Sequence, residues 1–254
     1  MNRSMLYYVH KQEAKDWHTK QLIESTLEHH PAYGHKRLAL HLKINKKRIL
    51  RVMHKYGITP YRKRRSPWKK PRSTYQEYPN LLKTMELQQG MWATDFTYLW
   101  CGNQFIYVAT ILDIYTKEIM GVAVSTRHDT NLVLQALTAA LLYHPKPILI
   151  HSDHGSEYTS RLFVEYCTLT GIDISMSKKG CPWENGYQES FYDKFKIDLG
   201  DAGRFNTLGE LVYAIYQTIW YYNHDRIHTT IKMTPKQFAE KIQKSYALDV
   251  SNVV

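Results

Sequence analysis

Between His29 and Gln76 the chain carries fifteen Lys and Arg residues and no acid. The rest of its 254 residues hold nineteen Lys and Arg against 23 Asp and Glu. This segregation requires a chain of two parts, a strongly basic N-terminal module and a mildly acidic remainder. Unpaired positive charges repel one another in a compact module unless a polyanion relieves them, which is the electrostatic footprint of nucleic-acid contact. The plainer alternative is a three-helix packing module with a solvated basic face. With 43% hydrophobic residues the chain is too apolar for disorder. It has neither the ~20-residue apolar run of a membrane helix nor a signal-peptide core. Three cysteines (Cys101, Cys167, Cys181) lack zinc-type spacing and indicate no disulfide framework. These features together predict a soluble intracellular protein, cytoplasmic and without membrane contact.

Inside the basic part, residues 17–29 have a helical pattern that Pro31 ends. Tyr33-Gly34 opens a second short helix carrying Leu38 and Leu42, and a third follows Ile44-Asn45. In the third, Ile49, Val52, Met53 and Tyr56 form an apolar stripe. Arg48, Arg51 and Lys55 lie opposite, with Lys47 beside them. A basic last helix in such a trio predicts a helix-turn-helix-like module whose recognition helix meets the DNA major groove. Residues 59–80, with four prolines and seven basic residues, predict a semi-extended linker. Its Arg62, Lys63, Arg64, Arg65, Lys69 and Lys70 are candidate phosphate contacts. The resulting division is a helical module over 1–58, a basic Pro-rich linker over 59–82, an α/β core with C-terminal helices over 83–243, and a tail over 244–254.

From Gly90 the pattern changes to strands at 91–100, 105–113 and 118–126, joined by tight turns into an antiparallel meander. A helix over 129–143, a short buried strand at 147–153, a helix over about 159–170 and a strand at 172–177 follow. This order predicts a mixed five-stranded sheet flanked by helices. Three carboxylates stand out within it. Asp95 sits inside a strand among aromatic neighbours, where an unpaired charge is costly. Asp153 ends an apolar strand and precedes His154-Gly155. Glu189 lies on a predicted helix over 186–199. Taken singly each has an ordinary structural reading: a satisfied Asp, a loop cap, an exposed helical Glu. Jointly, hard oxygen donors from two strands and a helix suit two Mg²⁺ ions, with Mn²⁺ as a substitute, in an in-line phosphoryl displacement. Lys196, seven residues past Glu189 on the same helix face, would then stand beside a phosphate or base. Asp113 is a rival carboxylate, read as a turn cap. The loop 178–186, rich in glycine and proline, is expected to be mobile, with Trp183 and Asn185 on a DNA end and Lys178 and Lys179 on its backbone.

Six blocks in order carry a resemblance over nearly the whole chain. They are Tyr33-Gly34-His35-Lys36-Arg37-Leu38, Trp92 to Tyr98, His151 to Tyr158, Glu184-Asn185-Gly186, Glu189-Ser190-Phe191, and a closing block of Tyr221-Tyr222-Asn223, Arg226, His228 and Thr234-Pro235. With these the chain resembles the DDE transposases of bacterial insertion sequences, in the branch akin to retroviral integrases. The resemblance implies a ribonuclease-H-like fold and Asp95, Asp153 and Glu189 as the catalytic metal ligands. It also implies strand transfer of DNA ends by a homodimer or larger assembly on double-stranded DNA, meaning the element's terminal repeats and its target. An upstream-frame protein, or a fusion with it, is a further expected partner, and the nucleoid the expected place of action. Departures from the family are Glu157 for Gln, Glu184-Asn185-Gly186 for Asp-Asn-Ala, and Phe195 and Asp198 for Leu and Glu. Arg226 and His228 are candidate DNA contacts, although Arg226 equally suits a helix-capping role. A nuclease of the same fold and a DNA-binding regulator with an inactive core are the competing readings.

Overall fold

Alternation over Met91–Cys101 and an apolar, β-branched run over Gln104–Asp113 give the two longest strands, β1 and β2. They belong to a computed structural model that describes residues 11–61, 78–178 and 180–251. The candidate contacts Arg62, Lys63, Arg64, Arg65, Lys69, Lys70 and Lys179 fall outside the described residues. The chain forms two compact units, one containing residues 11–61 and the other 78–251.

The first unit holds three helices, α1 (Lys11–His29), α2 (His35–His41) and α3 (Lys46–Lys55). Asn45 caps α3 by accepting from the Lys47 N–H at 2.8 Å, and Gly57 follows its end at φ +65°. Ile23, Tyr33, Leu38, Ile49, Val52 and Met53 form its core. Much of the basic side of α3 is turned onto α1. Arg51 holds both oxygens of Asp16, at 2.6 and 2.7 Å, and Asp16 is 1% exposed. Arg48 donates to the Lys15 carbonyl and the Thr19 hydroxyl, and Lys55 Nζ stands 3.6 Å from Asp16. The Arg51 guanidinium holds the Asp16 carboxyl below the usual range against the upward push of burial.

The second unit contains β1, β2, β3 (Ile119–Ser125), α4 (Thr130–Tyr143), β4 (Leu149–Ser152), α5 (Arg161–Thr170), β5 (Asp173–Met176), α6 (Gly186–Leu199), α7 (Leu208–His224) and α8 (Pro235–Ser251). The sheet order is β3-β2-β1-β4-β5, with β1, β2 and β3 antiparallel and β4 and β5 parallel to β1. This is the ribonuclease-H-like arrangement expected above. Trp92, Ala109 and Ile111 pack with Leu132, Ala136 and Leu137 of α4 and Phe163 and Cys167 of α5. A separate cluster joins Leu99, Ile106 and Val108 to Phe191 and Phe195 of α6 and Leu211, Ile215 and Ile219 of α7. At Gly121 a Cβ would stand 2.3 Å from the Ala136 carbonyl oxygen, so only glycine lets α4 lie so close to β3. Asp113 closes the β2–β3 turn, accepting from the N–H groups of Gly90, Tyr115 and Thr116. Among the described residues no helix is long and apolar enough to cross a membrane.

Candidate active site

Parallel pairing of β1 with β4 sets Met91, Trp92 and Ala93 beside Leu149, Ile150 and His151. Continued by two residues past the last pair, that register aligns Asp95 with Asp153 on one side of the sheet. Burial, the neighbouring Asp153 charge and, more weakly, Glu189 push the Asp95 carboxyl up to about 7, although the Phe96 N–H donates to it at 2.8 Å. Asp153 is exposed at the end of β4, and its Oδ1 accepts from the Gly155 N–H at 2.8 Å. A Cβ on Gly155 would come within 3.0 Å of that oxygen and 2.7 Å of Glu157 Oε2. The absence of a side chain there is what lets the loop fold between two carboxylates.

Glu189 lies in the first turn of α6, exposed, its carboxyl raised by burial and by Asp193. Its helix is fixed to the sheet by its neighbours. Gln188 donates to the carbonyls of Ala93 and Thr110 at 2.6 and 3.2 Å, and Tyr192 donates to those of Asp95 and Val108 at 2.7 and 3.2 Å. The Thr110 hydroxyl completes this buried network with both side chains. A glutamine at position 188 in an otherwise apolar helical face is the sequence signal for this anchor.

Glu157, a departure from the resembled family, is answered by a partner. Its Oε1 lies 3.2 Å from His128 Nε2 and accepts from the Ser156 hydroxyl at 3.0 Å. The His128 ring packs against Phe96 and Tyr107. The Glu157 carboxylate thus has its own contacts with His128 and Ser156. The loop before α6 is tethered where a mobile one was expected. Glu184 accepts from the Lys178 N–H, Asn80 Nδ2 and Lys83 Nζ at 2.8, 2.8 and 2.6 Å. Burial works to raise the Glu184 pKa, but these donors outweigh it and hold it at about 2. Trp183 is exposed on this loop and Asn185 is buried.

Arg226 is buried, 1% exposed, and its Nε donates to Asp198 at 2.5 Å, so its position is that of a clamp between the end of α7 and α6, not of a surface phosphate contact. His228 bridges to Met233, and its Nδ1 accepts from the Thr230 N–H. Lys47 is exposed at the start of α3, whereas Arg48, Arg51 and Lys55 reach α1.

Whether the site suits a cation is decided by its donors. Among the described residues no three His, Cys, Asp or Glu side chains are gathered closely enough to form a ligand set. Asp95 and Asp153 are brought together, and Glu189 acts on Asp95 through its field. All three offer hard oxygens, and the Asp95 carboxyl is raised first by burial and then by the Asp153 charge, a charge that a cation would neutralise. His154 Nε2, on the residue that follows Asp153, is buried without a hydrogen-bond partner among the described residues. Tyr158 lies in the field of both aspartates. Orphaned polar atoms of this kind are costly and mark places where a polar ligand completes the structure. The donor set therefore fits a divalent cation and a hydrated phosphate.

Comparison with known proteins shows the family and the fold. An integrase core domain family matches residues 86–182, and a second integrase core domain family matches residues 170–235. The transposase for insertion sequence element IS904 of Lactococcus lactis is 29% identical over 256 residues, 91% of this chain and 98% of its own length. An uncharacterized transposase-like protein of Haemophilus influenzae is 31% identical over 200 residues, 75% of this chain and 90% of its own. A chain of the simian T-cell lymphotropic virus intasome in complex with PP2A regulatory subunit B56 gamma superposes with a TM-score of 0.53 at 20% identity. That superposition covers 87% of this chain and 73% of the other, a likeness of fold.

Proposed function

We propose, since this chain belongs to the transposases of bacterial insertion sequences that carry an integrase core, that Asp95, Asp153 and Glu189 are the centre at which it cuts and joins DNA. The function of the chain is DNA transposition. The observation that supports this centre is that Asp153, just past the end of β4, is close enough to β1 for its charge to act with burial in pushing the Asp95 carboxyl up to about 7.

Two Mg²⁺ ions, for which Mn²⁺ would substitute, supply Lewis acidity when bound by these carboxylates. The remaining work belongs to the chain. Gln188 and Tyr192 keep the Glu189 helix against β1, so the third carboxylate approaches the two aspartates on a rigid element. Gly155 leaves room for the Asp153 loop, and His128 holds Glu157 out of competition for the cation. Lys196 and Trp183 are the side chains assigned to a phosphate and a DNA end. Hydrolysis at the element's 3′ ends frees a hydroxyl, which then attacks a phosphodiester of the target by in-line displacement. Water and a DNA hydroxyl are similar nucleophiles, so one centre serves both steps without a covalent intermediate. The helical module supplies end recognition through Lys47 and the exposed parts of α3. Two ends are brought together by a dimer or larger assembly on DNA, alone or with an upstream-frame partner.

The test is incubation with DNA carrying the element's own terminal repeats, in Mg²⁺ and in EDTA, with products mapped by sequencing. Metal-dependent nicks at the repeat ends together with joined strands are expected. Cutting without joining would indicate a nuclease, and binding without cutting a regulator.

A further inference from the structure

Beyond Ala93, where pairing with β4 stops, β1 has a strand neighbour on one side only. On this outer part of the β1–β2 hairpin Tyr98, Trp100 and Phe105 are 56, 52 and 44% exposed. Trp100 and Phe105 are cross-strand partners, and Tyr98 shares the face of Trp100 by alternation. Both pack edge-on against Phe105, with ring centroids 5.3 and 4.8 Å apart and interplanar angles of 82 and 71°. Lys196 Nζ, from the helix that carries Glu189, lies 5.1 Å from the Tyr98 ring centroid. A contiguous exposed aromatic face of this kind marks an interaction site.

We propose that this face is a stacking platform for unpaired bases of the DNA strand that is cut at the carboxylate centre. The proposal rests on the reading of Asp95, Asp153 and Glu189 given above. Three features favour nucleobases as the occupant. Aromatic side chains stack on any base through its π-face, without sequence demand. Lys196 sets a cation over the Tyr98 ring, the combination of positive charge and exposed ring that a phosphodiester strand with stacked bases matches. Lys196, whose ammonium lies over the Tyr98 ring, is seven residues from Glu189 on the same helix, about 10 Å. A strand leaving the carboxylates therefore meets the rings within its first nucleotides.

The test uses the full chain in EDTA, so that neither cleavage nor metal enters the result. A duplex bearing 5-iodouracil in a short unpaired overhang is irradiated, and adducts are mapped by mass spectrometry. A second duplex carries the same base paired internally. Adducts on Tyr98, Trp100 or Phe105 from the overhang alone are expected. The double variant Tyr98→Ala/Trp100→Ala should lose them and bind single-stranded oligothymidylate about tenfold more weakly, with duplex affinity unchanged. Tyr98→Phe, which keeps the ring, should retain both. Adducts confined to other segments, or an unchanged oligothymidylate affinity in the double variant, would overturn the platform. So would a change in sedimentation in place of DNA binding, which would assign the face to a second copy. Failure of the carboxylate reading is seen separately. If Asp153→Asn still cuts DNA while the hairpin adducts persist, the centre is lost and the platform stands.

Discussion

Gln188 donates to the Ala93 carbonyl at 2.6 Å, a bond across 95 positions of sequence that fixes the helix of Glu189 to the strand of Asp95. Its removal leaves the buried Ala93 and Thr110 carbonyls without this donor. Gln188→Ala should lower stability by about 2 kcal/mol in urea titrations and reduce strand joining with it. Unchanged values for both would show that the helix is placed by its apolar face alone.

The raised Asp95 pKa makes a prediction with a definite sign. The folded carboxyl titrates at about 7 against an ordinary value of 3.8. Between these values the folded state binds more protons than the unfolded one, so this group's contribution to stability falls as pH rises through that window. In EDTA, Asp95→Asn should therefore be more stable than wild type above pH 7, with the gain vanishing near pH 4. The gain should be roughly 1–2 kcal/mol, less than the whole shift implies, because the half-buried group still meets water. Thermal unfolding of both proteins across that pH range is the measurement.

Gly155 separates two carboxylates by having no side chain. Gly155→Ala should displace the Asp153 loop and depress DNA cleavage at least tenfold with only a small fall in Tm, since the loop lies at the surface. Cleavage and unfolding measured on the same preparation check both halves of the statement.

In the helical module two cations of one helix should behave differently. Lys47→Ala, at an exposed site, should weaken DNA binding and leave Tm unchanged. Arg51→Ala strips the buried Asp16 of its partner and should unfold the module at lower temperature. Circular dichroism melts paired with DNA titrations separate the two roles.

That contrast shows what the sequence made legible. The periodicity of α3 revealed which residues face the core, and the strand pattern from Gly90 onward revealed the five-stranded sheet, because both are local repeats. It placed Asp95, Asp153 and Glu189 on a strand, a strand end and a helix, where the structure has them. It did not reveal that Arg51 binds Asp16 across 35 positions, that Arg226 is buried on Asp198 across 28, or that Glu184 tethers Asn80 and Lys83 across more than 100. A charge on a helix face has the same pattern whether solvent or a distant partner answers it. Glycine and proline in 178–186 suggested freedom for the same reason, since nothing local announces the Glu184 tether.

The central claim is tested most directly by replacing Asp95 with Asn, Asp153 with Asn and Glu189 with Gln, one at a time, and assaying cleavage and strand transfer on DNA carrying the element's ends in Mg²⁺. Each variant should lose both reactions by at least a thousandfold while binding the same DNA with wild-type affinity. Cleavage that survives any one of the three replacements in a folded, DNA-binding protein would contradict the assignment of that carboxylate to the centre.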